Sequence, residues 1–463
     1  MDREKYLNQT LLPHYDTLII GGGIVGAGVF RDQALNGMDV LLVDQGDFSS
    51  QTSQGSSKML HGGIRYLENM DFALVFEALK EKNLWLKLTP HLSKEIPFIL
   101  PVYKESKWPM FFMRIGLFLY DLLSLFKNSP HKVLSKKKVL ECVSAIKSDG
   151  LKGAGLYYDG IVDDSKLALE CIYDGVTYGN CHAHNYKKVI KIESQNNEHT
   201  ITLKDQISQE EFIVKTNKVI FATGPFTDQV MKELNIPWDP VILPSKGTHL
   251  WLKQDAIPMK EAMVLQTKDG RIIFVIPQRH SILVGTTETP LPADFDFFNI
   301  QPTQEEIDYL LNSVKEYFPQ IELHHEDIIS SFSAVRPLVK ANTSSKKTSR
   351  NHKIYKPQAG MYVLVGGKYT TFRRMAEDLN KLIFKDMNRP YNKKLSMTPL
   401  HRASIVKNPY EEKISQEEIE RIIREEGVRT MEDLIERRLS IQSLRHFSDK
   451  ELAQLLDSYK NKF

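Results

Sequence analysis

Residues 15–28 read Tyr-Asp-Thr-Leu-Ile-Ile-Gly-Gly-Gly-Ile-Val-Gly-Ala-Gly, a short β-prone run that ends in a glycine-rich turn. An apolar helical pattern follows this turn, and Gly37 supplies a signal for the end of the helix. The next run, Val40–Val43, is apolar throughout, as expected of a strand buried in a parallel sheet. Strand, helix and strand fit into about 30 residues, so the pattern predicts one complete βαβ unit in an α/β fold.

Three glycines in the turn, Gly21, Gly23 and Gly26, have the spacing of a dinucleotide-binding turn. The first makes the bend, the second lets the backbone approach a pyrophosphate, and the third lets the helix pack closely on the strand. Asp44 ends the second strand, where a carboxylate accepts hydrogen bonds from ribose hydroxyls. The motif alone does not choose between NAD and FAD. Its early position, with a long segment before the next α/β pieces, favours FAD.

Length and composition restrict the remaining possibilities. The 463 residues predict two or three domains, and a net charge of +3 is too balanced for a dedicated nucleic-acid binder. Cys142, Cys171 and Cys181 are far apart and form no CxxC pair, so neither a disulfide framework nor a metal site is expected. Residues 1–10 contain no apolar signal-peptide core, and we expect a cytoplasmic protein.

The rest of the chain alternates between helical and strand patterns. Residues 71–89 have the apolar spacing of a helix. Several short apolar runs between about 240 and 340 are separated by turn residues, and their spacing predicts an antiparallel sheet. After about residue 393 the composition changes to short charged helices, one of which begins at a capping box, Ser415–Glu418.

Further short blocks follow in a specific order. They are Arg31-Asp32, Asp47-Phe48, Ser56–Lys58, His61–Glu68, Tyr157–Asp159, Val162–Asp164, Ala222–Pro225, Lys246–His249, Asp269–Arg271, Phe274–Pro277, Gly285–Thr287, Ser333–Pro337, Ser349-Arg350 and Gly366–Thr371. Together with the glycine-rich turn they closely resemble the FAD-dependent glycerol-3-phosphate dehydrogenases of the bacterial aerobic type. The resemblance covers roughly residues 15–385.

Two regions depart from the family pattern. Gln54-Gly55 stands where the family's loop before the Ser-Ser-Lys element often carries other residues. The region 393–463 is shorter than the family's usual C-terminal helical domain. We expect the absent part to serve packing or assembly, which leaves open whether the protein is a homo-oligomer.

The resemblance implies an α/β protein with three parts. A discontinuous Rossmann-type FAD-binding domain is expected from residues 1–80, 151–238 and 352–392. A substrate domain built on an antiparallel sheet is expected from 81–150 and 239–351, and a small helical C-terminal domain from 393–463.

The implied cofactor site joins distant segments. The sequence predicts a strand at Met361–Val365, followed by Gly366-Gly367 and a helix from about Thr371. Backbone N–H groups in this turn and the dipole of the helix would favour negative charge at the flavin's N1–C2 edge. The resemblance implies FAD contacts from Gly21, Gly23, Gly26, Asp44, Ser56, Ser57, Lys58, His61, Gly62, Thr223, Gly224, Gly367, Lys368, Thr370 and Thr371.

The implied reaction is oxidation of sn-glycerol 3-phosphate to dihydroxyacetone phosphate, with hydride transfer to flavin N5. A phosphate suits arginine, whose planar fork donates two hydrogen bonds to one group. Substrate contacts are expected from Arg65, Arg336, Arg350 and Lys368. Of these, Arg65, Arg336 and Lys368 are also candidate catalytic residues.

The general base is left open between His249 and His61, since imidazole titrates near neutrality. The resemblance places His249 on the substrate side and His61 nearer the flavin. We therefore favour His249, with Tyr66 as a hydroxyl partner.

Pro109–Phe126 is strongly apolar, with only Arg114 and Asp121 charged, and lysines flank it. It is short for a bilayer span, but it suits a helix lying in a membrane interface. A buried core helix or an assembly surface is the alternative. Because the family passes electrons to a membrane quinone, the resemblance favours a peripheral location on the inner face of the cell membrane.

Two other functions remain open. One is an amino-acid or 2-hydroxy-acid oxidase or dehydrogenase that uses oxygen or another acceptor and needs a single carboxylate clamp. The other is a flavin-bearing binding or regulatory protein without turnover. The retained Arg65, Arg336 and Lys368 argue against the latter.

Overall fold

The computed structural model describes residues 7–278, 280–340, 352–401, 415–440 and 459. One predicted substrate contact, Arg350, lies outside these residues. The described strands are β1 His14–Ile20, β2 Val40–Val43, β3 Met59–Leu60, β4 Ser93–Tyr103, β5 Lys132–Ser135, β6 Leu151–Val162, β7 His182–His184, β8 Lys187–Gln195, β9 Glu198–Asp205, β10 Glu211–Phe221, β11 Ile242–Lys253, β12 Ala262–Gln266, β13 Ile272–Pro277, β14 Ser281–Gly285, β15 Thr289–Pro290, β16 Ile328–Val339, β17 His352–Tyr355 and β18 Met361–Gly366.

The helices lie between these strands. They are α1 Ile24–Leu35, α2 Phe72–Leu88, α3 Met110–Leu123, α4 Lys136–Cys142, α5 Asp164–Gly175, α6 Thr227–Glu233, α7 Gln304–Tyr317, α8 Phe372–Asp386 and α9 Gln416–Glu425. Short 3-10 turns span Ile64–Asn69, Gly224–Phe226, His325–Asp327, Tyr369–Thr371 and Leu395–Met397, and a π-helical turn spans Asp433–Arg438.

The first sheet has the strand order β17-β18-β10-β1-β2-β7, and the hairpin β8–β9 extends it from β10. From β18 to β7 neighbouring strands are parallel, and β17 and β9 run antiparallel to their partners. Ile19 and Leu42 face α1, α5 and α8, whereas Leu18 and Leu41 belong to the core on the other face. Burial on both faces explains why these strands are continuously apolar. The predicted βαβ unit and the α/β class are confirmed.

The second sheet has the order β15-β11-β14-β13-β12-β4-β6-β3, with β16 beside β11 and β5 beside β6. All its pairings are antiparallel except β12 with β4. Helices α4 and α7 pack on one face through residues such as Val139 and Val314. The antiparallel sheet predicted between residues 240 and 340 is therefore present, and strands β3 to β6 enlarge it.

One predicted domain boundary is wrong. Residues 151–162 were expected with the FAD-binding segments, but they form β6 of the second sheet, which lies between β4 and the edge strand β3 and pairs with β4 along its length. The chain returns to the first sheet only at α5, which packs on that sheet and whose N-terminus is capped by Asp163. An apolar run suits a strand of either sheet, so the local pattern could not show its partner. The division into three domains stays a prediction.

Helix α3 covers most of the apolar stretch noticed in the sequence. It buries Met113, Leu117 and Tyr120 against the second sheet. Asp121 is also buried, where its Oδ2 accepts from the backbone N–H of His131. Among the described residues, we find no helix with the length and apolar character needed to cross a membrane.

Candidate active site

One cavity of about 360 Å³ lies between the two sheets. Six segments of the chain contribute to its lining: the glycine-rich turn, the loop from Asp44 to Ser57, the turn 222–226, strand β11, strand β16 and the turn 366–369. Of the residues expected to contact cofactor or substrate, it brings together Gly21, Gly23, Asp44, Ser56, Ser57, His61, Tyr66, Thr223, Gly224, His249, Arg336, Gly367 and Lys368.

The glycine-rich turn has no space for side chains. Gly21 has φ of +105°, and a Cβ there would lie 2.5 Å from the carbonyl oxygen of Ala222. A Cβ on Gly26 would lie 1.9 Å from the carbonyl oxygen of Gly21. Both positions therefore require glycine, the first for its backbone conformation and the second for helix-to-strand packing. Gly26 itself lies outside the cavity lining and acts through this packing.

Asp44 reaches the cavity from the end of β2. Its Oδ2 accepts from the Gly22 N–H at 2.7 Å, and its Oδ1 accepts from the Gly46 N–H at 2.9 Å. Burial raises the pKa of Asp44 to about 6, against the lowering effect of these two hydrogen bonds. The carboxylate thus braces the glycine turn while facing the space where a ribose would lie.

The following loop carries both lining residues and buried anchors. Ser57 Oγ lies 2.8 Å from Nε2 of His249. Lys58 does not line this cavity, contrary to its expected cofactor contact. Its Nζ donates to Oδ1 of buried Asp164 at 2.6 Å, and Ser56 Oγ donates to Oδ2 of the same carboxylate at 2.6 Å. The Lys58–Asp164 ion pair therefore anchors the end of the loop 44–57 to a buried carboxylate.

Three more predicted cofactor residues lie behind the cavity wall rather than on it. Thr370 Oγ1 accepts from the His61 N–H at 3.1 Å, and the Gly62 N–H donates to Oδ1 of buried Asp159 at 3.1 Å. Thr371 is buried at the start of α8. Thr370 and Gly62 thus position the turn that carries His61, whereas Thr371 Oγ1 donates to the Lys368 carbonyl oxygen at 3.3 Å.

His249 is enclosed in the second sheet. Its ring stacks on Phe332 with centroids 5.0 Å apart, and its Nδ1 is buried without a hydrogen-bond partner among the described residues. A Cβ at the facing residue, Gly285, would lie 2.1 Å from the ring. Burial, followed by the positive charges of Arg336 and Lys58, holds the pKa of His249 well below its ordinary value. The imidazole is therefore neutral at physiological pH.

Arg336 leaves β16 towards the same cavity. Its Nη1 donates to the Thr287 carbonyl oxygen at 3.1 Å, and its Nη2 donates to Thr286 Oγ1 at 2.6 Å. Gly247 allows the guanidinium to approach, since a Cβ there would lie 2.3 Å from Nη2. A proline disfavours helical backbone at the residue before it, and Arg336, which precedes Pro337, lies in the extended strand β16.

Lys368 follows two glycines in left-handed conformations, Gly366 with φ of +80° and Gly367 with φ of +78°. Its Nζ lies 3.7 Å from the centroid of the Tyr66 ring, a cation–π contact. Arg65, the residue before Tyr66, is exposed and is not part of the cavity lining. The structure therefore does not bring Arg65 to the expected substrate site.

Sequence reasoning gave no role to several residues that shape the site. Asp159 and Asp164 are buried carboxyls whose pKa burial raises to about 6. Both stand in blocks noticed in the sequence, but their partners, Gly62 and Lys58, are about 100 residues away. Glycines within strands are local signals of a close approach: Gly285 faces the His249 ring, and Gly247 faces the Arg336 guanidinium.

The fold and cavity define a class of protein. A parallel sheet with a glycine-rich turn, a carboxylate on the next strand and a cavity holding a neutral histidine and an arginine is typical of dinucleotide-dependent oxidoreductases.

Comparisons with known proteins agree. Residues 16–372 match the family described as FAD dependent oxidoreductase. The aerobic glycerol-3-phosphate dehydrogenase of Bacillus subtilis is 33% identical over 386 residues, 83% of this chain and 69% of that one. The mitochondrial glycerol-3-phosphate dehydrogenase of Bos taurus is 37% identical over 387 residues, and this chain spans about half of it, 52%.

A solved structure shows the same fold. The glycerol-3-phosphate dehydrogenase of Bacillus halodurans complexed with FAD superposes with a TM-score of 0.75 at 23% identity, over 97% of this chain and 90% of that one. The chain belongs to the family of FAD-dependent oxidoreductases, among the glycerol-3-phosphate dehydrogenases.

The residues present fit FAD as the cofactor. Gly21 and Gly26 keep the turn tight, and Gly23 and Ile24, the N-cap and first residue of α1, line the cavity where a helix N-terminus would receive a pyrophosphate. Asp44 lines the cavity where it could accept hydrogen bonds from a ribose, and Gly366 and Gly367 line the same cavity. Bound FAD supplies a two-electron acceptor, and the protein must place a substrate beside it.

Proposed function

We propose that the protein oxidises sn-glycerol 3-phosphate to dihydroxyacetone phosphate, with hydride transfer to flavin N5 and delivery of the electrons to a membrane quinone. The observation that carries the substrate assignment is Arg336, fixed by Thr286 and Thr287 in the cavity that also holds His249. A guanidinium held in one orientation suits a planar two-point contact with a phosphate. The named activity of the Bacillus subtilis relative supports the same substrate.

His249 is proposed to take the hydroxyl proton of the substrate. A neutral imidazole can accept a proton, but burial and the nearby Arg336 charge disfavour the imidazolium. A phosphate bound to Arg336 would offset that positive charge, so substrate binding would itself make His249 more basic. The C–H electron pair leaves as hydride at the same time, and the alcohol becomes a ketone.

Lys368 and Tyr66 are proposed to form the opposite wall of the substrate position. Lys368 follows the turn assigned to the flavin's N1–C2 edge, where its charge would favour a negative reduced cofactor. Tyr66 is held beneath the ammonium group of Lys368 and is proposed to contact the substrate hydroxyl. Among the described residues Arg336 is the one arginine that lines the cavity, so Arg336 with Lys368 carries the proposed preference for phosphate.

The test is flavin reduction under anaerobic conditions. We expect fast bleaching of the flavin band with glycerol 3-phosphate and slow or no bleaching with glycerol, lactate or amino acids. Fast reduction by lactate or an amino acid, with none by glycerol 3-phosphate, would refute the proposal and favour the oxidase alternative. Comparing glycerol 3-phosphate with glycerol isolates the phosphate contribution.

The membrane part of the proposal rests on α3. Phe111, Phe112, Phe118 and Leu122 on this helix are 44–66% exposed, and Leu125 and Phe126 continue the apolar surface. With Asp121 turned inward, the outer face carries little charge, and exposed lysines such as Lys107 and Lys127 flank it. Such a face suits insertion at the interface of an anionic bilayer, from which a quinone is within reach. We propose a peripheral position on the inner face of the cell membrane.

Cosedimentation with anionic vesicles tests this assignment. Phe118→Asp should weaken vesicle binding and leave dye-coupled activity unchanged, because the side chain is 52% exposed and is not part of the cavity lining. Ile213→Asp, at a 69% exposed site on β10, is the matched control and should bind vesicles normally. Equal binding of both variants would assign α3 to another surface role, and unfolding of Phe118→Asp would assign it to the core.

A further inference from the structure

A buried four-charge cluster joins the C-terminal segment, residues 415–440, to the cofactor loop. Asp47 contributes one carboxylate from the loop, and Asp433, Arg437 and Arg438 come from the π-helical turn. All four residues are at most 2% exposed. Two carboxylates and two guanidinium groups balance each other, as burial requires.

The contacts to Asp47 are numerous. Arg437 Nε donates to Oδ2 at 2.5 Å, Arg438 Nη2 donates to Oδ1 at 2.9 Å, and Arg438 Nη1 also contacts Oδ2. Asn185 donates to Oδ1 at 2.8 Å and, with the same amide nitrogen, to the Gly427 carbonyl oxygen at 2.8 Å. Burial alone would raise the pKa of Asp47, but Arg438 and Arg437 hold it below its ordinary value. The carboxylate is therefore charged and fixed in position.

Asp47 lies at the base of the loop that lines the dinucleotide end of the cavity. Phe48 packs against Gly22, where a Cβ would lie 2.1 Å from its ring, and the Ser49 N–H donates to the Gly22 carbonyl oxygen at 3.1 Å. Ser53 Oγ accepts from the Ile24 N–H at 2.9 Å, at the N-terminus of α1. Movement of Asp47 would displace the glycine turn and the helix start together.

We propose that the C-terminal segment is part of the cofactor site, and that Arg437 and Arg438 set the affinity for FAD by positioning the loop 47–53 through Asp47. The two arginines do not line the main cavity, so they are positioning residues and not FAD ligands. The inference concerns cofactor binding and does not depend on which substrate is oxidised.

The first test measures FAD binding to the apoprotein by quenching of flavin fluorescence. Arg437→Gln and Arg438→Gln each leave Asp47 with one guanidinium partner, and we expect the Kd for FAD to rise about 10- to 100-fold, the range for residues that orient directly binding groups. Arg421→Ala is the matched control, since Arg421 lies on α9 and pairs with Glu418, Glu425 and Glu426 of its own segment and not with Asp47. Its Kd should stay within about twofold of wild type.

A second measurement uses hydrogen exchange on the wild-type chain. If the segment positions the loop, FAD binding must stabilise the segment in return, because coupling between two sites is reciprocal. We expect FAD to slow exchange in residues 426–440 as well as in 45–57. In Arg438→Gln the protection of 426–440 should be lost.

Three results would overturn the proposal. They are an unchanged Kd in the folded glutamine variants, an equal loss of affinity in Arg421→Ala, or no FAD-dependent protection of residues 426–440 in the wild type. If Arg438→Gln does not fold, Arg438→Lys keeps the charge and loses the two-point geometry. An unchanged Kd in that variant would be equally decisive.

Discussion

Replacement of Arg336 by alanine tests the substrate side of the site most directly. The guanidinium is held by Thr286 Oγ1 at 2.6 Å and by the Thr287 carbonyl oxygen at 3.1 Å, so it is fixed before a ligand arrives. A hydrogen bond to a charged group contributes about 1.5–3 kcal/mol. Loss of that contact should lower kcat/KM for glycerol 3-phosphate by about 10- to 150-fold, since about 1.4 kcal/mol corresponds to tenfold.

The assay separates this loss from damage to the cofactor site. Stopped-flow flavin reduction gives the rate and apparent affinity for glycerol 3-phosphate, and the visible spectrum reports on bound FAD, which should be unchanged. Arg336→Lys keeps the charge without the planar fork and should lie between wild type and alanine. Arg65→Ala should behave as wild type, because Arg65 is exposed outside the cavity.

The pH profile provides a second readout. Arg336 is one of the charges that lower the pKa of His249, so its removal must raise that pKa. The acidic limb of kcat/KM, which reports loss of neutral His249, should therefore move to higher pH in Arg336→Ala. Wild-type kcat/KM in Arg336→Ala, or a loss in Arg65→Ala as large as that in Arg336→Ala, would refute the reasoning.

Three further outcomes are expected. Gly26→Ala should not retain FAD on gel filtration, because its methyl group would lie 1.9 Å from the Gly21 carbonyl oxygen; stoichiometric flavin would contradict this. Glu306→Gln should raise KM without changing FAD affinity in a binding titration, because Glu306 accepts from Thr248 Oγ1 at 2.9 Å beside His249. Burial raises the pKa of Asp159 to about 6, so between about pH 4 and 6 the native state holds a proton on this carboxyl that the unfolded state has lost. The contribution of Asp159 to the unfolding free energy therefore falls as pH rises through this range. Asp159→Asn removes that contribution and should make the unfolding free energy less dependent on pH there. Urea unfolding at several pH values measures that difference.

Features encoded by neighbouring residues could be predicted from the sequence. The strand, glycine turn and helix after Tyr15 follow from apolar period and glycine spacing, and Asp44 follows because it ends the next strand. The same local patterns predicted α2 and the short strands of the second sheet. The family resemblance added His249, Arg336 and Lys368, which the structure places along one cavity.

The direction of side chains and the identity of distant partners were decided only by tertiary structure. Tyr66 and Arg65 are adjacent, yet on a 3-10 turn one faces the cavity and the other faces solvent. Lys58 turns from the cavity to Asp164 because a buried carboxylate requires a charge partner.

The same reason explains the link between the two ends of the chain. Asp47 forms ion pairs with Arg437 and Arg438, some 390 residues later in the chain. Strand β6 pairs with β4 in the second sheet. The residues around a strand or a charged side chain do not indicate which distant strand or charge it will pair with. Such pairings are fixed only when the folded chain removes both groups from water, because burial makes an unpaired backbone or charge costly.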